Sequence, residues 1–135
     1  MLNFSLKTFI HNLITVIFTV LIFSFSYAQE GEKIFKANCA SCHHPIKNAT
    51  GPKLQGALQK WQDGGEEELI YKWVANPTEL YNSGKSKMAK AIWDYSPTAM
   101  TAQGHLSKEE VQAVFAYVDG YAPPVVAGAG DDELV

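Results

Sequence analysis

The stretch Asn38–Pro52, NCASCHHPIKNATGP, holds both cysteines of the chain, two of its four histidines and a Gly-Pro step. The fold turns on what Cys39, Cys42, His43 and His44 do there. Cysteines three apart beside histidines fit four chemistries: a disulfide, a zinc site, a redox-active thiol pair, or covalent attachment of a cofactor.

Compartment comes first, because it decides which cysteine chemistry can persist. Met1–Asn12 carries Lys7 and His11 and no acidic residue, and Leu13–Phe25, LITVIFTVLIFSF, is thirteen residues without a charge. Ser26-Tyr27-Ala28 then offers small residues at the two positions a signal peptidase reads, so residues 1–28 are expected to be a signal peptide cleaved after Ala28. The competing reading is an uncleaved anchor. A bilayer core asks for about 20 apolar residues, and the uncharged stretch Asn12–Gln29 reaches that only with its polar residues counted. On either reading the remainder is exported, where thiols oxidise unless something else occupies them.

Cleavage would leave 107 residues with ten lysines, no arginine and fourteen acids, a net charge of −4. That length makes one small domain, which apolar burial alone stabilises only marginally. The acidic balance argues against nucleic acid or an anionic membrane surface as the main partner; beyond that it does no more than favour solubility.

Helical periodicity dominates the rest of the chain. In EGEKIFKAN, Ile34 and Phe35 share one side of a short helix, with Glu30 and Glu32 in its first turn, where the helix dipole favours them. Ala40–Asp63 is rich in Gly, Pro, Asn and Ser and reads as loop, with one turn of helix around Ala57–Trp61. GGEEELIYKWVANP predicts a helix carrying Leu69, Ile70, Trp73 and Val74 and stopped by Pro77. Lys85–Tyr95 is a further helix, with Met88, Ile92 and Tyr95 at helical spacing, ended by Pro97. In the last helix Ser107 caps and Glu110 completes a capping box, Leu106 is placed to staple onto Val111, and Val111, Val114, Phe115 and Val118 form the buried stripe. No alternating pattern predicts a sheet and no internal repeat occurs. The fold class is therefore all-α, with loops longer than a simple bundle needs. The tail, residues 122–135, is Pro- and Gly-rich and then acidic, which predicts an extended, flexible segment.

Cys39-Ala40-Ser41-Cys42-His43 is C-x-x-C-H, the c-type haem attachment pattern. Its spacing is geometric: each cysteine adds to one haem vinyl group as a thioether, and the next residue delivers an imidazole beneath the iron. Three rivals remain open. A zinc site needs a fourth ligand, from His44 or His105, at no recognised spacing. A thioredoxin-like pair needs a strand before the motif and a helix after it, the reverse of the order here. A Cys39–Cys42 disulfide closes a very small loop and stabilises little.

With a haem attached, Met100, Met88 and His105 compete for the second axial position. Met100 lies in YSPTAMTAQGHLS, an irregular segment free to aim a thioether inward. Met88 lies in a helical stripe, where methionine is ordinarily core. His105 stands two residues before the last N-cap. The expected set is thus Cys39 and Cys42 for haem attachment, His43 as proximal and Met100 as distal iron ligand, with no catalytic residue.

The order Gly31, Phe35, Cys39, Cys42, His43, then TGPKLQG (Thr50–Gly56), then a methionine loop, then LSKEEVQAVFAYV resembles the class I, monohaem cytochromes c of bacterial respiratory chains, from about Gly31 to Tyr121. The resemblance implies a cytochrome c fold over residues 29–121, several short helices and long loops wrapped around one covalent haem c, with the first and last helices crossing so that Gly31 and Phe35 meet the Val111–Val118 stripe. It further implies that the carbonyl of Pro52 accepts the proximal histidine's ring N–H. One departure stands out: Thr101 follows Met100 where the family often has proline. The Trp61–Tyr95 segment matches only in being helical, so Trp61, Trp73 and Trp93 read as packing, against the haem edge or its propionates.

The implied function is that of an electron carrier, not an enzyme. It would take electrons from a quinol-oxidising complex or a dehydrogenase and pass them to an oxidase or reductase in the bacterial periplasm, reaching the membrane only through partners or an uncleaved N-terminal anchor. Methionine sulfur favours the reduced iron and raises the potential relative to two histidines. The alternatives are a haem domain whose sixth position opens, ligand-binding or peroxidase-like, or the haem module of a larger respiratory subunit.

Overall fold

In the computed structural model, which describes residues 2–96 and 98–123, with side chains for 6–19, 27–96 and 98–123, α1 spans Leu2–Asn38 as one unbroken helix. The sequence pattern predicts only its last turns. The extension has a local cause: no proline interrupts residues 2–38 and Gly31 is the single glycine there. Thr15 and Thr19 donate their hydroxyls back to the carbonyls of His11 and Thr15 at 2.9 and 2.8 Å, so both hydroxyls are satisfied on the helix itself. α1 passes through Ala28 and Gln29, the expected cleavage junction, and the Tyr27 hydroxyl donates to the Glu109 carbonyl at 2.9 Å. Leu6, Phe9, Ile10, Leu13, Ile14, Val16, Ile17 and Phe18 are exposed. Among the described residues no helix is long and apolar enough to cross a membrane.

The last helix, α6 (Lys108–Asp119), begins where its capping box predicts. The Glu110 N–H donates to Ser107 Oγ at 3.2 Å, and Ser107 N–H donates to Glu110 Oε2 at 2.7 Å, so two otherwise orphaned amide donors are satisfied reciprocally. Val111, Ala113, Val114, Phe115 and Val118 are buried. Val111, Val114, Phe115 and Val118 meet Ile34 and Phe35 of α1 in one cluster, and Phe35 also tilts against Tyr117 with ring centroids 5.5 Å apart. The crossing is centred on Gly31, which is buried against the Ala113 backbone.

Between α1 and α6 in the chain come α2 (Ala57–Asp63), α3 (Glu67–Ala75), α4 (Pro77–Ser83) and α5 (Lys87–Trp93). Pro77, read from sequence as a stop, is instead the first residue of a further helix. Asn76 caps α4 by accepting from the Glu79 N–H at 3.1 Å, and proline at the first helical position lacks only an N–H that would be unpaired anyway. Gly84, at φ 66°, closes α4 in the left-handed conformation. α5 starts two residues later than the pattern predicts, because Ser86 is its cap, and Tyr95 lies beyond its end, 45% exposed. No strand occurs among the described residues. The expected tail lies, from residue 124, outside them.

Glu66 fastens this middle section. Its carboxylate accepts from the buried Ser86 hydroxyl and from the backbone N–H groups of Lys87 and Met88, at 2.9 and 3.3 Å for the two amides. It thus supplies negative charge to the first turn of α5 from outside that helix. The Ser86 hydroxyl, ahead of the two amides, holds the Glu66 carboxyl below its usual range. The stabilisation that this bond contributes is present above the ordinary glutamate value and lost as pH falls through the lowered one. Glu66→Gln is therefore expected to lower the thermal midpoint at neutral pH, with the gap to the parent protein closing in acid. A constant gap at all pH values would count against this role.

Candidate functional site

The cysteine segment continues α1 by one further turn. Cys39 N–H donates to the Phe35 carbonyl at 2.8 Å and His43 N–H to the Cys39 carbonyl at 2.8 Å. A helical turn puts residues three apart on one side, so Cys39 and Cys42 face the same space, and both are free thiols. Burial pushes the Cys39 thiol up to about 11. A disulfide-exchange catalyst needs the reverse, a thiol made acidic by nearby positive charge, so the thioredoxin-like rival finds no support in this site. Among the described residues no group of three or more His, Cys, Asp or Glu side chains is arranged to hold a metal by itself.

His43 is held by its own loop. Its Nδ1 lies 2.7 Å from the Pro52 carbonyl oxygen. A carbonyl can only accept, so Nδ1 carries the proton, and in the neutral ring Nε2 keeps its lone pair for a ligand. Gly51 lies between them. Its N–H donates to the Cys42 carbonyl at 2.8 Å and its own carbonyl accepts from Ala49 N–H at 2.9 Å. A Cβ on Gly51 would come within 2.3 Å of the His43 ring. Nothing in the C-x-x-C-H motif itself marks Gly51; its signal in the sequence is the Gly-Pro step.

These residues open onto a cavity of about 440 Å³ lined by α1, α2, α3, α5, α6 and residues of 95–96 and 98–103, within the roughly 300–1,000 Å³ of cofactor pockets. Cys39, Cys42 and His43 line it, and so do Trp61, Trp73 and Trp93. The tryptophans form a contiguous series, Trp61–Trp73 at 6.3 Å and Trp73–Trp93 at 6.2 Å, with Tyr81 stacked on Trp93 at 4.1 Å. Val111, Val114 and Phe115 from α6 face the same space.

The structure brings together most of the predicted residues and separates two histidines from them. Met100 and Met88 both line the cavity. His105 does not: it is exposed, with Nε2 3.1 Å from Asn38 Oδ1. His44 turns into its loop instead, where Nδ1 accepts from the Ile46 and Lys47 N–H groups at 3.1 and 3.3 Å, and its ring meets Tyr121 edge-on. Paired thiols beside an imidazole whose Nδ1–H is spent on the Pro52 carbonyl, over an apolar cavity of this size, fit a covalently attached planar macrocycle with a central metal.

A family model described as cytochrome C oxidase, cbb3-type, subunit III matches residues 27–118. Among solved structures the chain is similar to a cytochrome c from Rhodothermus marinus, with a TM-score of 0.55 and 25% sequence identity over 69% of this chain and 74% of that one. No curated protein matches it.

Proposed function

We propose that this chain, which belongs to the cytochrome c family described as cytochrome C oxidase, cbb3-type, subunit III, carries single electrons between membrane-linked respiratory partners through a haem with His43 and Met100 as axial ligands. The family's cofactor is covalently bound haem c, which supplies reversible one-electron exchange at iron. Cys39 and Cys42 would hold it through thioethers. The observation that carries this reading is the pairing of those free thiols with a His43 ring oriented by Pro52 beside an apolar cavity.

The protein's contribution is geometric and dielectric. The Pro52 carbonyl fixes the His43 tautomer and makes Nε2 a better donor. Trp61, Trp73, Val111, Val114 and Phe115, all buried, exclude water from the cavity, which favours the less charged, reduced state. Met100 is preferred to Met88 because Met88 sits on α5, whose first turn is fixed by Glu66, while Met100 is on the irregular segment before α6 and is free to adjust to the iron. His43 and Met100 would both be engaged in holding the group, and the chemistry it would supply here is electron exchange without a bound substrate. A quinol-oxidising complex or a dehydrogenase is the proposed donor and an oxidase or reductase the proposed acceptor, in the periplasm; the family description favours an oxidase on the acceptor side.

The test uses protein matured where haem is attached, with a haemochrome assay under denaturing conditions for the thioether links. Met100→Ala is expected to abolish the methionine-to-ferric-iron charge-transfer band and to let the ferrous protein bind carbon monoxide, while Met88→Ala leaves both unchanged. The reverse pattern would make Met88 the ligand, and carbon monoxide binding by the parent protein would favour an open sixth position.

A further inference from the structure

Met100 stands outside any helix, so its place at the cavity depends on how the segment around it is tied down. On its N-terminal side the tie is local: the Thr98 N–H donates to Ser96 Oγ at 3.2 Å. On its C-terminal side two ties reach distant elements. The Gln103 N–H donates to the Val74 carbonyl at 2.9 Å, which satisfies one of the carbonyls that the end of α3 leaves unpaired. Two residues later His105 Nε2 lies 3.1 Å from Asn38 Oδ1, across 67 positions of sequence.

The polarity of that last contact follows from its surroundings. Asn38 Nδ2 donates to the Ile34 carbonyl at 3.0 Å, so the amide oxygen is the atom turned to His105, and an amide oxygen only accepts. His105 Nε2 therefore carries the proton and donates. Asn38 is the last residue of α1 and precedes Cys39, so the bond runs from the methionine segment to the cysteine turn. Asn38 and Gln103 line the same cavity as Met100, whereas His105 is exposed and does not.

We propose that His105 is a positioning residue: with Asn38 it latches the Met100 segment onto the haem-attachment turn and so keeps the Met100 thioether at the iron. The inference rests on the reading of Met100 as distal ligand and adds to it what holds that ligand in place. One bond fixes a point on an irregular segment; a second bond to a different element also fixes its direction. Val74 belongs to α3 and Asn38 to α1, so Gln103 and His105 together set how residues 98–102 enter the cavity. The restraint has to come from such ties, because Thr101, directly after Met100, has no ring to fix its own φ.

The experiment titrates ferric holoprotein with azide, a small anion that competes for the distal position, and follows the methionine-to-ferric-iron charge-transfer band. His105→Ala is expected to lose the band at an azide concentration roughly three- to tenfold below that of the parent, the factor that one ordinary hydrogen bond supplies. Asn38→Leu should also lose it early, and adding His105→Ala to Asn38→Leu should change nothing further, since the shared bond is already gone. His105→Gln, whose amide N–H offers a donor at similar reach, should return close to the parent value. A parent-like azide response in His105→Ala overturns the proposal even if its thermal midpoint falls, because the bond would then be a structural tie only. So would full additivity in the double variant, or equal sensitivity of His105→Gln and His105→Ala. Absence of the band from the parent protein would instead defeat the Met100 reading itself, and the latch with it.

Discussion

Gly31→Ala is expected to cost about 3 kcal/mol of folding stability, the upper part of the range for overpacked cores, read as a lower denaturant midpoint with an unchanged slope. The added Cβ would lie 1.9 Å from the Ala113 carbonyl oxygen, 2.5 Å from its carbon and 3.1 Å from the Tyr117 Cβ. The first two are backbone atoms inside α6, so no side chain can swing aside. Two effects oppose each other. Alanine at a helical position is favoured over glycine by about 1 kcal/mol, which on an exposed face would decide the sign. Here the helices must separate instead, and separation exposes Ile34, Phe35, Val114 and Val118 together. Steric exclusion therefore wins. A variant as stable as the parent would mean that α1 and α6 do not cross at Gly31 in solution.

That crossing was legible in the sequence only in outline. The apolar spacing of Val111, Val114, Phe115 and Val118 and the Ser107–Glu110 box fix α6, because both depend on residues within one or two turns of each other. The C-x-x-C-H run was equally readable, since its chemistry is set by five adjacent residues. What remained hidden depends on long-range placement or on two roles for one residue. Pro77 is both a stop for α3 and a start for α4, and proximity to Val74 argued only for the first; Asn76 and Glu79 carried the second signal. Glu66 reads as the start of α3, while its carboxylate caps α5 twenty residues on. The three tryptophans read as packing residues, but that they line one cavity with Met88 and Met100 follows only from how the helices and the segment before α6 are assembled.

Gly51→Ala is expected to be the most damaging single change at the site that removes no proposed ligand. Its Cβ would meet His43 Cε1, Nδ1 and Nε2 at 2.3, 2.6 and 2.8 Å, so it would press on the face of the ring across its width. Neither side can yield cheaply. The Gly51 backbone is held by the bonds with Cys42 and Ala49, and the ring is held by the Pro52 carbonyl. The ring must tilt, which gives up the outer-shell bond while leaving the imidazole in the chain. Loss of such a partner typically weakens a metal–histidine bond roughly ten- to a hundred-fold. The expected result is holoprotein with its thioethers intact but with His43 displaced by exogenous imidazole at a correspondingly lower concentration, and a lowered thermal midpoint. Pro52→Ala provides the contrast. It keeps the backbone carbonyl that accepts the bond and changes only the ring of residue 52, so its imidazole resistance should stay near that of the parent. Equal resistance in Gly51→Ala and the parent would show that His43 does not depend on this loop for its orientation. Equal sensitivity of the two variants would place the effect in the rigidity of the Gly-Pro turn and not in the space above the ring.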